Sequence, residues 1–151
     1  MRSGGPTFRG ADEALDAVDA IVAGAAAEAR RAEQYAAAVD GLRVHGRPSD
    51  GSDVTVTLDH AGGLVHLAVG ERVAAQGGAA VARAVLAANA TARRRLPALL
   101  GGLAREAFGA DSATTAHVVQ HAERMFAARA GASDAAGERP AGASVGAGVL
   151  R

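Results

Sequence analysis

Val54, Val56 and Leu58 alternate with Thr55, Thr57 and Asp59, the clearest period of two in the chain. The alternation predicts a half-buried strand. After a turn marked by Asp59 and the Gly62-Gly63 pair, Leu64 to Val69 is apolar and includes β-branched Val65 and Val69. That predicts the return strand of a hairpin with a loop of four or five residues. Upstream, Leu42 and Val44 share one face, while Arg43, His45 and Arg47 share the other, which predicts a first short strand. Pro48-Ser49-Asp50-Gly51 reads as the turn between them. The result is a three-stranded antiparallel sheet whose apolar face must be covered by helices.

The remaining periodicity is helical. Leu15, Val18, Val22, Ala25, Ala29, Ala32, Ala36 and Val39 recur at alternating gaps of three and four. This is the a/d register of a heptad seam, with Asp12 placed to cap its start and Gly41 to end it as a C′ residue. The seam can lie on the chain's own sheet or form a coiled coil with another chain. A loop with about one helical turn spans Gly70 to Gly78. A second helix is predicted from Ala79 to about Arg95, with Val81, Val85, Ala88 and Ala92 on one side. Pro97 either kinks it or opens a short new helix through Leu100. Ser112 or Thr114 can start a last helix, with Val118, Ala122, Met125 and Arg129 on one stripe and Gly131 as its stop. Residues 1–11 and 132–151 are rich in small and polar residues and are expected to be disordered. Residues 12–108 form the main domain and 109–131 the additional helix.

Composition narrows the function. The 49% apolar content is largely alanine, and aromatics are 3% with no tryptophan. Such a core is thin, so helices must approach closely or a second chain must contribute. There is no cysteine, which excludes disulfides, thiolate metal sites and thiol nucleophiles. No apolar run reaches membrane-span length and no hydrophobic signal core opens the chain, so a cytoplasmic location with no membrane partner is expected. All sixteen basic residues are arginine, and the net charge is zero.

Zero net charge hides an asymmetry. Residues 1–40 carry four arginines against seven acids, whereas residues 71–110 carry six arginines against two. Arg93, Arg94 and Arg95 form the densest basic cluster, and as consecutive helical residues they fan around the axis. Arg43 and Arg47 flank His45 on one face of the first strand. Arg30 and Arg31 form a third group, partly neutralised by Glu28 and Glu33. These arginines suit phosphate contacts without base reading, because no zinc finger, helix-turn-helix or row of stacking aromatics accompanies them. His117 and His121 share a helix face but lack a third ligand and a general-base glutamate. No catalytic constellation is evident. The chain is read as non-enzymatic, with no metal or cofactor.

The order of long helix, three-stranded antiparallel sheet and long helix, followed by an extra C-terminal helix, defines an α+β fold. It resembles the YbaB/EbfC nucleoid-associated family. The likeness rests on the Ser49-Asp50-Gly51 turn, the Val54 to Thr57 strand, the His60 to Gly63 turn, the Leu64-Val65-His66-Leu67 strand and the alanine-spaced helix from Ala82 to Ala92. It covers roughly Asp12 to Leu96. The resemblance implies a tweezer-like homodimer with a joined sheet core that binds duplex DNA weakly, salt-sensitively and with little sequence preference. Gln76-Gly77-Gly78, Pro97 and the additional helix depart from the family pattern. The zero net charge and acidic first helix support an alternative: a structural or interaction protein of the same fold that holds a protein partner.

Overall fold

The computed structural model describes residues 8–136, and side-chain environments for 10–127. The elements are α1 (Phe8–Asp40), β1 (Val44–Gly46), β2 (Val54–Leu58), β3 (Leu64–Val69), α2 (Glu71–Ala75), α3 (Gly78–Phe108) and α4 (Ala113–Ala136). The α+β order expected from the sequence is the one observed. The sheet is antiparallel in the order β1-β2-β3, so β2 is central and both other strands are edges.

The β2–β3 hairpin is built by Asp59, whose Oδ1 accepts the amides of Ala61 and Gly63. Gly62 adopts φ 79° in that turn, a conformation that costs glycine little. At the sheet's other end Asp53 accepts the amides of Arg72 and Val73, which ties the short α2 to the start of β2. In the Pro48–Gly51 turn, the hydroxyl and amide of Ser52 hold the Asp50 carboxyl below the usual carboxylate range.

The core lies between the sheet and α3. Val44, Val54, Val56 and Leu58 meet a row on α3 made of Ala84, Ala88, Ala92 and Leu96. The buried row on α3 runs Ala80, Ala84, Ala88, Ala92, Leu96, Leu100 and Ala104, one residue every four. A helix turns about 100° per residue, so each four-residue step rotates the contact by about 40°. The buried stripe therefore winds from the sheet toward α4, which packs along the second half of α3. Small residues permit the close approach. A Cβ on Gly46 would run into the Ala88 carbonyl oxygen and lie 2.7 Å from Ala92 Cβ.

Several boundaries differ from the sequence reading. Pro97 neither breaks nor ends α3, which is continuous from Gly78 to Phe108. The proline removes one backbone hydrogen bond, but buried Leu96 and Leu100 on either side hold the helix together. Gly101, read as punctuation, sits inside the helix because a Cβ there would meet Val119 of α4 at 2.9 Å. α1 starts at Phe8, so Asp12 lies inside the helix instead of capping it. Gly41 ends α1 but not in the left-handed conformation of a C′ glycine. α4 runs past Gly131 to Ala136, since one glycine in an alanine-rich helix costs only about 1 kcal/mol. Ser112 starts α4, its Oγ accepting the Thr115 amide at 3.0 Å. The segments expected to be disordered thus include helical residues at 8–11 and 132–136; residues 1–7 and 137–151 lie outside the described part.

α1 does not lie on the sheet. Its C-terminal part is anchored by Val39 against the core and by Tyr35, whose ring sits 5.3 Å from that of Phe108 on α3. Burial raises the Tyr35 phenol above its ordinary pKa. From Gly10 to Gln34 every residue except half-buried Ala27 is exposed. Among the described residues, no helix is long and apolar enough to cross a membrane.

The close α3–β1 approach gives a paired prediction. Gly46→Ala should destabilise the protein by about 1–3 kcal/mol through overpacking. Gly24→Ala, on α1 with nothing within 4 Å of the new Cβ, should stabilise it by about 0.5–1 kcal/mol. Urea denaturation of the two variants checks both signs.

Candidate nucleic-acid interface

Three arginines follow one another on α3, and the structure sends them in three directions. Arg93 bonds Asn89 Oδ1 at 3.0 Å and the Gly62 carbonyl in the hairpin turn at 3.3 Å. Arg95 donates to the His45 carbonyl on β1 at 3.1 Å. Arg94 is exposed and bonds only its helical neighbour Thr91, at 3.3 Å. Arg93 and Arg95 therefore tie α3 to the sheet, and Arg94 is the member of the cluster directed to solvent. Arg30 and Arg31 stand on the exposed length of α1 near Glu28 and Glu33, away from the sheet.

The strand register assembles a different group. His45, Thr57 and His66 form one cross-strand row, and Thr55 and Ala68 form part of the next, beside Arg47. These residues face away from α3, because their neighbours Val44, Val54, Val56 and Leu58 are the ones buried in the core. His45 Nδ1 lies 2.9 Å from Thr57 Oγ1, and Arg47 Nε donates to Thr55 Oγ1 at 3.1 Å. Arg43, one alternation earlier, donates to the Asp40 and Leu42 carbonyls at 2.9 and 2.8 Å, closing the end of α1. A shallow cleft of about 450 Å³ opens at the Gly70 end of the sheet, lined by Arg47, Thr55, Ala68 and Arg72 and also by Asp53.

His66 and Arg72 were absent from the arginine clusters picked out of the sequence. Alternation from His66 to Val69 separates His66 and Ala68 from Leu67 and Val69, but it does not give the partner of His66 on β2. Arg72 becomes visible only once α2 is docked on Asp53, 3.8 Å from its guanidinium. His117 and His121 stack with ring centroids 6.3 Å apart on the exposed side of α4. Among the described residues no three His, Asp or Glu side chains gather as a metal site.

Two apolar surfaces complete the picture. All six residues of β3 are exposed, including Leu64, Val65, Leu67 and Val69 at 38–53%. Of these, Leu64, Leu67 and Val69 pair with core residues of β2 and so share the core face, but α3 lies over β1 and β2 and leaves them uncovered. On α1, Leu15, Val18, Ile21 and Val22 are 54–71% exposed. The two edge strands are unlike. β1 has three residues, is followed closely by Pro48 and has a carbonyl occupied by Arg95. β3 has six residues, no charge and no proline, with one extra residue, Val65, against β2. Short length, proline, charge and bulges are the usual protections of a sheet edge, and β3 has only the bulge at Val65. A search of family models, curated proteins and solved structures gave no match to this chain.

The contrast between Arg94 and Arg95 predicts a difference in stability. Arg95→Ala should cost about 0.5–1.5 kcal/mol by removing the bond to β1. Arg94→Ala should change stability by less than about 0.5 kcal/mol. Thermal unfolding of the two single variants, compared with the parent chain, measures both.

Proposed function

We propose that the chain is a YbaB/EbfC-like, nucleoid-associated homodimer that binds duplex DNA with little sequence preference, in the bacterial cytoplasm, through arginine–phosphate contacts. The observation that carries the dimer is the bare β3 edge beside uncovered Leu64, Leu67 and Val69. A second copy added antiparallel along β3 would pair the open backbone and bury those side chains. The heptad stripe of α1 supplies further apolar surface for the same association. DNA binding is supported by charge placement: Arg43 and Arg47 are exposed beside the sheet, while the acids concentrate on α1, which carries seven of the sixteen. The site is read as a binding surface without catalysis.

A second reading is favoured by α1 alone. Its exposed Leu15, Val18, Ile21 and Val22 stand among Asp12, Glu13, Asp16 and Asp19, a pattern that suits a basic amphipathic partner helix. On that reading the protein is a structural or interaction module. A stoichiometric protein partner in native co-purification, with no DNA binding, is its signature.

The DNA reading predicts a steep salt dependence. A dimer making about six phosphate contacts should lose roughly a thousandfold in affinity for a short duplex between 50 and 200 mM salt. Fluorescence anisotropy with duplexes of unrelated sequence measures the slope and the lack of preference together. No binding at tens of micromolar protein and low salt would sink the DNA reading.

A further inference from the structure

The open face of the sheet combines polarity, positive charge and exposure. It presents His45 and Arg47 along the β1 side, half-buried Thr55 and buried Thr57 on β2, and His66 on β3, with exposed Arg43 just before β1 and one of its terminal nitrogens on the Asp40 and Leu42 carbonyls. No carboxylate lies within these rows. Asp53 and Asp59 at the strand ends are engaged with backbone amides, those of Arg72 and Val73 for Asp53 and those of Ala61 and Gly63 for Asp59. A carboxylate that already accepts two amides repels an approaching phosphate less than a free one does.

We propose that this open sheet face, and not the arginine triplet of α3, is the surface that contacts the DNA backbone. The inference rests on the DNA reading above and says where the contact is made. Three observations support it. The hydroxyls of Thr55 and Thr57 hold Arg47 and His45 through one nitrogen each. The two terminal nitrogens of Arg47 and the far ring nitrogen of His45 stay available, on side chains already fixed in place, which lowers the ordering cost of binding. In the competing cluster, Arg93 and Arg95 are bound to the Gly62 and His45 carbonyls. Finally, antiparallel pairing of two β3 strands places the dimer axis perpendicular to the sheet. Both open faces then lie on one side of a six-stranded sheet, and both α3 helices lie on the other. Arg47 and the polar rows are doubled on a single surface, and the cleft lined by Arg47, Asp53 and Arg72 falls at its two outer ends. The face carries no Phe, Tyr or Trp for base stacking, so it suits the phosphate backbone of a duplex better than single-stranded bases.

Anisotropy titrations of the full-length dimer against a short duplex at low salt separate the possibilities. Two variants remove equal charge: Arg43→Ala with Arg47→Ala on the sheet face, and Arg83→Ala with Arg94→Ala on the exposed side of α3. The sheet-face pair, which removes four arginines from the dimer, should weaken binding at least tenfold and make the salt slope shallower by up to about four. The α3 pair should stay within about threefold of the parent. His66→Lys, checked to remain dimeric by light scattering, should tighten binding, a gain that misfolding cannot imitate. If the parent binds but the α3 pair carries the loss, or His66→Lys leaves affinity unchanged, the sheet face is not the contact surface. If the parent itself does not bind, the DNA reading fails and takes this inference with it, an outcome visible before any variant is compared.

Discussion

The structure turns on the uncovered edge of its sheet. α3 crosses β1 and β2 and stops short of β3, so β3 has one neighbour, two exposed faces and an unpaired backbone side. Burying what remains exposed of Leu64, Leu67 and Val69 is worth on the order of several kcal/mol per protomer, before any backbone hydrogen bonds are counted. That is comparable to the whole stability of a small domain. The opposite edge is closed by its short length, by Pro48 and by Arg95. One edge is thus guarded and the other is apolar and bare, which is the ground for proposing that a second copy adds there.

The rest of the molecule holds this edge in position. α3 can lie close to the sheet because Gly46, Ala88 and Ala92 meet without large side chains between them. Asp53 fixes the exit of β3 through Gly70 and α2, since a Cβ on Gly70 would collide with the Asp53 carboxylate. α4 supports the hairpin tip, with Phe126 Cε1 3.1 Å from where a Cβ on Gly62 would lie. α1 projects as a helix of about 50 Å whose apolar stripe meets no other part of the described chain for most of its length. A helix exposed on all sides draws little stability from propensity alone, so α1 also favours an assembled form.

Much of the fold was legible in the sequence, because period-two and heptad patterns report which residues share a face. The hairpin, the sheet order and the four principal elements follow from Val54 to Val69 and from the alanine spacing of the helices. The continuity of α3 was not legible. Pro97 and Gly101 are local breakers, and what overrides them is tertiary: Leu96 and Leu100 buried on either side of the proline, and Val119 pressed against the glycine. For the candidate site, alternation placed Arg43, His45 and Arg47 together. It could not place His66 opposite Thr57, because that register depends on the extra residue at Val65. Nor could it show that Arg93 and Arg95 are bound to backbone carbonyls, since those partners lie thirty-one and fifty positions away.

The central claim is that β3 is the joint between two copies of the chain, and hydrogen exchange of its backbone amides at several protein concentrations tests it most directly. If β3 pairs with a second β3, amides on its outer side should be protected at high concentration and lose protection on dilution, while those of β2 stay protected throughout. Outer-edge amides of β3 that exchange at the rate of an open strand at every concentration, in a sample that light scattering shows to be monomeric, would contradict it.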